Sequence, residues 1–142
     1  MGNDIIHSIR DFNRFYTAIL GVVNHHILES EYSLTEARVI YELHSAAALT
    51  ARELKEMLQI DEGYLSRIIT KFVKNGILRK KQVKSDKRAY LLELTAKGNK
   101  VFEAIDQQSD VQVAHLIEHL GKAEQKKLVE LVTQVKALLT RE

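Results

Sequence analysis

The sequence predicts a mostly α-helical fold carrying one short β-hairpin, on three observations. The chain has 142 residues and no proline, which favours long unbroken helices. Apolar residues recur at spacings of three and four along most of it, the period of a helix with one buried face. Only residues 77–94 hold two strand-like runs around a charged tip. A chain of this length builds one hydrophobic core, so residues 1–142 are read as a single domain.

Residues 5–28 place Ile9, Phe12, Tyr16, Ile19 and Val23 at alternating spacings of three and four, with Ile5, Phe15 and Val22 widening the stripe. This predicts a long amphipathic first helix. Ser33 and Glu36 have capping-box spacing, each side chain suited to bond the other's free backbone N–H, and Val39, Ile40 and Leu43 mark a second helix behind them. Thr50 and Glu53 repeat the device before Leu54, Met57 and Leu58, a short third helix. Gln59-Ile60-Asp61 then leaves room only for a tight turn, with Asp61 placed to cap the next helix. In that fourth helix Leu65, Ile68, Ile69, Phe72 and Val73 face inward, leaving Tyr64, Ser66, Arg67, Thr70, Lys71 and Lys74 on the outer flanks. Asn75-Gly76 closes it, because glycine tolerates the left-handed backbone at a helix end.

Residues 77–83 and 89–94 form the hairpin, with Tyr90, Leu92 and Leu94 alternating as one buried face and Lys84-Ser85-Asp86-Lys87-Arg88 at its tip. Thr95 caps a fifth helix carrying Val101, Phe102, Ile105, Leu116, Ile117 and Leu120, with a bend expected near Gln107 to Asp110. A last helix starts at about Lys122 and aligns Leu128, Leu131, Val132, Val135, Leu138 and Leu139. The order is that of a winged helix-turn-helix with a two-stranded wing, about residues 33–95, flanked by helical segments at about 4–29 and 96–140. The lobe closes without the flanking stripes. A second copy buries them most economically, so the outer helices are read as dimerisation helices and the chain as a homodimer.

Charge points to the partner. Nine basic residues fall between Arg67 and Arg88 against one acid, Asp86, leaving twelve basic and eighteen acidic residues elsewhere. A net charge of +2 thus hides a strongly cationic segment suited to a polyanion. The absence of cysteine excludes disulfides, thiolate metal sites and thiol redox switches. No apolar run reaches membrane-spanning length, the start lacks the basic region of a secretory signal, and Ile6 stands where a myristoylation signal needs Ser or Thr. A cytoplasmic location with no membrane partner is expected.

These residues resemble the multiple-antibiotic-resistance regulator (MarR) family. Asp86-Lys87-Arg88, then Leu94-Thr95 and Gly98, have that family's wing spacing; Leu34-Thr35 and Leu65-Ser66-Arg67 also fit. The resemblance covers essentially the whole chain. It implies a sequence-specific transcription regulator, a repressor binding double-stranded DNA as a homodimer. Phe12 to Thr17, Ser33 to Val39 and Gly63 to Ile68 are most similar to a branch often joined to a C-terminal acetyltransferase domain. That similarity keeps open a second role, as the regulatory and dimerising module of a longer protein. The six glycines stand too far apart to form the pyrophosphate loop of an acetyltransferase, and no nucleophile motif is present. No enzyme activity and no cofactor are assigned to the chain.

A recognition helix reads base edges in the major groove with its N-terminal half. That assigns Tyr64, Ser66, Arg67 and Thr70 to the groove, Arg67 as the candidate for a bidentate guanine contact. Lys71, Lys74, Lys80, Lys81 and Lys84 are assigned to phosphates, and Lys87 belongs to the same DNA-binding set. By resemblance Arg88 is the wing arginine that enters a minor groove, while Asp86, repelled by phosphate, orients the wing or bonds its own backbone in the turn. A two-fold dimer predicts a pseudo-palindromic operator.

The resemblance also implies a small-molecule effector held between the dimer helices and the DNA-binding lobe. Phe12, Tyr16 and His44 are candidates to line that cleft, although core packing is the commoner role for residues of these types. His115 and His119 lie at i and i+4, as two metal ligands would, with His25, His26 and His44 as further donors. The ligand positions of zinc-sensing relatives do not fall on these histidines, and no metal site is assigned.

Overall fold

The computed structural model describes residues 2–20 and 31–140, together with all side chains in these ranges except that of Lys87. Among the described residues are six helices and three strands: α1 (Gly2–Leu20), α2 (Leu34–Ala46), β1 (Leu49–Thr50), α3 (Ala51–Leu58), α4 (Glu62–Lys74), β2 (Leu78–Val83), β3 (Asp86–Leu94), α5 (Ala96–Ile117) and α6 (Lys122–Leu139). The end of the expected first helix, with Val22, Val23, His25 and His26, lies outside the described residues.

Both capping boxes form. Ser33 Oγ accepts from Glu36 N at 3.1 Å while Glu36 Oε1 accepts from Ser33 N at 3.0 Å. Thr50 Oγ1 accepts from Glu53 N at 3.1 Å, and Glu53 Oε1 accepts from Thr50 N at 3.3 Å. Asp61 Oδ2 accepts from Tyr64 N at 3.0 Å, capping α4. The turn before it is made by Gln59, left-handed at φ 51° and ψ 47°, which ends α3. A helix that stops on a left-handed residue and restarts on a capped one sets α3 and α4 in a helix-turn-helix.

The chain divides into two compact units, residues 1–106 and 107–142, and the division falls within the uninterrupted α5. The core of the first unit is built on Phe72, with Val39, Ile40 and Leu43 of α2, Leu54 of α3, Leu65, Ile68 and Ile69 of α4, and Leu92 of β3 around it. Val101, Phe102 and Ile105 of α5 pack against this cluster.

The sheet has the order β1-β3-β2, antiparallel throughout. Its third strand was not legible in the sequence. β1 is two residues long, pairs Leu49 with Leu92 and Thr50 with Leu91, and is defined by backbone bonds to a distant segment. Two inward assignments need correction. Val73 is exposed, because at about 100° per residue it stands roughly a quarter-turn from the centre of the Leu65–Phe72 stripe. Tyr90 is 46% exposed, because β1 covers β3 only at Leu91 and Leu92 and the core ends there.

Two glycines fix how α4, the sheet and α5 meet. Gly76 ends α4 at φ 75°, a backbone that other residues adopt only with strain. Gly98 lies in the first turn of α5, where a Cβ would come within 2.2 Å of the Ile77 carbonyl oxygen. Thr95 ties the same junction. Its hydroxyl accepts from Gly98 N at 3.0 Å and donates to the Gly76 and Ile77 carbonyls.

Candidate nucleic-acid interface

The exposed flank of α4 and the β2–β3 hairpin converge on one groove. It encloses about 620 Å³ and is lined by Ser66 and Thr70 of α4, Lys80, Arg88 and Tyr90 of the hairpin, and Arg52 and Lys55 of α3. A shallower depression along the outer face of α4 holds Arg67, Lys71 and Lys74, again with Ser66 and Thr70 between them. Of the assigned α4 residues, Ser66, Arg67, Thr70, Lys71 and Lys74 thus line two adjoining hollows and Tyr64 neither, and the wing contributes to the first.

Arg88 owes its position to an irregularity. Gln82 pairs with Tyr90 but Val83 pairs with Asp86, so the residues from Lys87 to Ala89 bulge from β3 with no partner on β2. A bulge re-aims side chains near a strand end, and here it turns Arg88 into the groove. Asp86 Oδ1 accepts from Arg88 N at 2.9 Å, so its carboxylate holds the backbone of the turn. Lys84 is exposed in the two-residue tip, and the side chain of Lys87 lies outside the described part of the structure.

Aromatic rings support two of the cations. The Arg67 guanidinium carbon lies 5.9 Å from the centre of the Tyr64 ring, and Lys80 Nζ 5.7 Å from that of Tyr90. Each ring limits the freedom of a long cationic side chain before any partner arrives.

Other cations are already engaged. Lys71 Nζ donates to Glu36 Oε2 at 2.7 Å, and Arg79 Nε donates to Glu93 Oε1 at 2.6 Å across the β2–β3 pair. Burial alone would push the Glu36 carboxyl up, but hydrogen bonds from Lys71 and Ser33 outweigh it and hold it below its ordinary value. The expectation of Lys71 as a free phosphate ligand is thus corrected, since its partner lies 35 residues away and leaves no local signature. Arg52, Lys55 and Tyr90 were not singled out as site residues. Arg52 and Lys55 belong to α3, the first helix of the helix-turn-helix, and come to the groove because that helix lies beside the recognition helix.

The effector candidates have separate ring contacts. Phe12 and Tyr16 stack on each other on α1, at 5.7 Å between ring centres. His44 stacks on Phe102 at 3.7 Å, and its Nδ1 lies 3.5 Å from Asn99 Oδ1. His115 Nδ1 lies 3.1 Å from Glu118 Oε1, and among the described residues there is no group of three or more His, Asp or Glu able to hold a metal ion.

This geometry has counterparts among known proteins. The MarR family model matches residues 32–90, which take in α2, the helix-turn-helix and the wing as far as Tyr90. An uncharacterized HTH-type transcriptional regulator of Bacillus cereus is 32% identical over 107 residues, 73% of this chain and 71% of its own length. The chain belongs to the MarR family. The chain is also similar to the HTH-type transcriptional regulator BilQ of Clostridium symbiosum, 29% identical over 89 residues, 52% of this chain. That alignment spans 62% of BilQ, less than two thirds of its length. A cysteine-to-serine mutant of MarR from E. coli, solved in complex with operator DNA, superposes with a TM-score of 0.74 at 25% identity, covering 94% of this chain and 96% of that one. The PcaV transcriptional regulator of Streptomyces coelicolor has the same fold, with a TM-score of 0.74 at 20% identity over 93% of this chain and 96% of PcaV. MarR-family proteins are transcription regulators, and this chain has their winged-helix architecture.

Proposed function

We propose that this MarR-family chain is a homodimeric repressor that binds a pseudo-palindromic operator in double-stranded DNA. The observation that carries the proposal is the groove where Ser66 and Thr70 of the recognition helix face Lys80 and Arg88 of the wing. A segment with nine basic residues and one acid surrounds it. The likeness to a MarR protein crystallised on operator DNA supports the same reading.

In this reading Arg67, steadied by Tyr64, contacts base edges with Ser66 and Thr70, and Lys74, Lys80, Lys84 and Lys87 neutralise phosphates. Arg88 enters a minor groove from the bulge that Asp86 braces. A cytoplasmic location is part of the same reading; no described helix is long and apolar enough to cross a membrane.

The reading as a dimer is supported by uncovered apolar residues of the terminal helices, which include Ile5, Phe12 and Phe15 of α1, Val111 of α5, and Val129 and Leu138 of α6. Apolar exposure of that extent marks surfaces of interaction, and a second copy of the chain is the proposed partner. A small-molecule effector, with Phe12, Tyr16 and His44 as candidate contacts, is part of the same proposal. The similarity to the acetyltransferase-linked branch, with the second role as a regulatory module, rests on the three quoted sequence segments alone.

The test is titration of the dimer with a selected operator and a scrambled duplex at several salt concentrations. Specific binding is expected to exceed non-specific binding by about a thousandfold or more. Equal affinity for both duplexes, or none for either, overturns the proposal.

A further inference from the structure

Glu36 is 8% exposed and its two carboxylate oxygens are used in different directions. Oε1 accepts from Ser33 N, closing the cap of α2, and Oε2 accepts from Lys71 Nζ at 2.7 Å, reaching into the recognition helix. Lys71 stands one helical turn beyond Arg67 and one before Lys74, in the middle of the cationic face of α4. A carboxylate taken out of water needs its counter-charge, because removing one partner of such a pair strands the other. A phosphate that drew the Lys71 ammonium away from Oε2 would leave Glu36 in that condition. The pair also screens the repulsion among three like charges on successive turns.

We propose that Lys71 is a positioning residue for DNA reading and not a phosphate ligand. Its bond to Glu36 fixes α4 against the N-terminus of α2, so that Arg67 presents to base edges in one register. This rests on the DNA-binding reading above and adds to it which cation of the recognition helix holds the helix in place. Its consequence is a split between specificity and charge: losing Lys71 weakens recognition without removing a phosphate contact.

The experiment compares wild type, Lys71→Met, Lys71→Arg, Glu36→Gln and Lys74→Met on two probes. One is the duplex that the wild-type chain selects from a random pool; the other is a scrambled duplex of the same length. Lys71→Met and Glu36→Gln are expected to lower affinity for the selected duplex about tenfold while leaving the salt slope as in wild type. Glu36→Gln is the sharper arm, since removing a negative charge should by itself tighten binding to any duplex. Lys71→Arg, which can keep the bond to Glu36, is expected to restore selectivity. Lys74→Met should reduce the salt slope by about one and weaken both duplexes alike.

A slope reduced by about one in Lys71→Met, or tighter binding in Glu36→Gln, overturns the assignment. If Lys71→Met proves unfolded by circular dichroism, the isosteric Glu36→Gln and the charge-conserving Lys71→Arg carry the test. A wild-type chain that selects no duplex overturns the DNA-binding reading and this inference with it. A wild type that selects one while Lys71→Met loses a unit of slope overturns this inference alone.

Discussion

At the scale of single residues, cations of one sequence cluster have different tasks because their partners differ. Arg88 is re-aimed by a bulge, Lys80 lies over Tyr90, and Lys71 is held by a buried carboxylate. Arg88→Ala is therefore expected to lower affinity for the selected duplex more than tenfold while sparing the scrambled one, and Lys80→Ala to weaken both alike with a reduced salt slope. Salt-dependent titration separates the two, and equal losses on both duplexes for Arg88→Ala would remove it from the reading of sequence. The Glu36 carboxyl gives a pH dependence of definite sign. Its folded pKa lies below the ordinary value, so the charged form stabilises the fold above the unfolded pKa, and that contribution is lost as pH falls through the folded value. Lys71 faces the carboxylate from α4, while Ser33 and Tyr32 adjoin it in the chain leading into α2. Acid unfolding should accordingly come at higher pH in Lys71→Met than in wild type. Coincident acid midpoints would show that the ion pair adds nothing to the fold.

At the scale of elements, the junctions carry the strain and the tight packing. Ala47 ends α2 at φ 68° and ψ −45°, with Ala48 N donating to Ala46 O at 2.8 Å across it, a three-residue turn that is strained for any residue with a Cβ. Ala47→Gly is expected to stabilise the protein by about 0.5–1 kcal/mol, read as a higher midpoint in urea. Gly98→Ala is expected to destabilise it by about 2–3 kcal/mol, because the added methyl collides with a carbonyl held by the α4–β2 junction. An unchanged midpoint would mean that α5 can lift from Ile77 freely. Most elements were legible in advance, since capping residues such as Ser33, Thr50 and Asp61 act on N–H groups two or three residues away and leave a local signature. β1 left none, because a two-residue strand exists only through its pairing with Leu91 and Leu92.

At the scale of the whole molecule, the terminal helices remain to be covered. Leu131 and Val135 of α6 are each about half exposed, as are Phe12 and Tyr16 of α1. Val135→Asp, a charge set into that apolar surface, is expected to shift the protein from dimer to monomer in sedimentation and to weaken operator binding, with helix content retained. A dimer that persists undiminished would exclude Val135 from the interface. The apolar period marked these helices as amphipathic; what covers them depends on a surface outside the chain's own core.

The sequence by itself determined the winged-helix order, the helix caps and the cationic segment between Arg67 and Arg88, because each rests on neighbours a few residues apart. Only the tertiary structure decided which of those cations are free. The contact of Lys71 with Glu36, the opening of Arg88 into a groove shared with Arg52, and the exposure of Tyr90 depend on distant backbone segments brought together by the core. Local periodicity records which face of a helix is buried. It holds no record of which charge lies across from it.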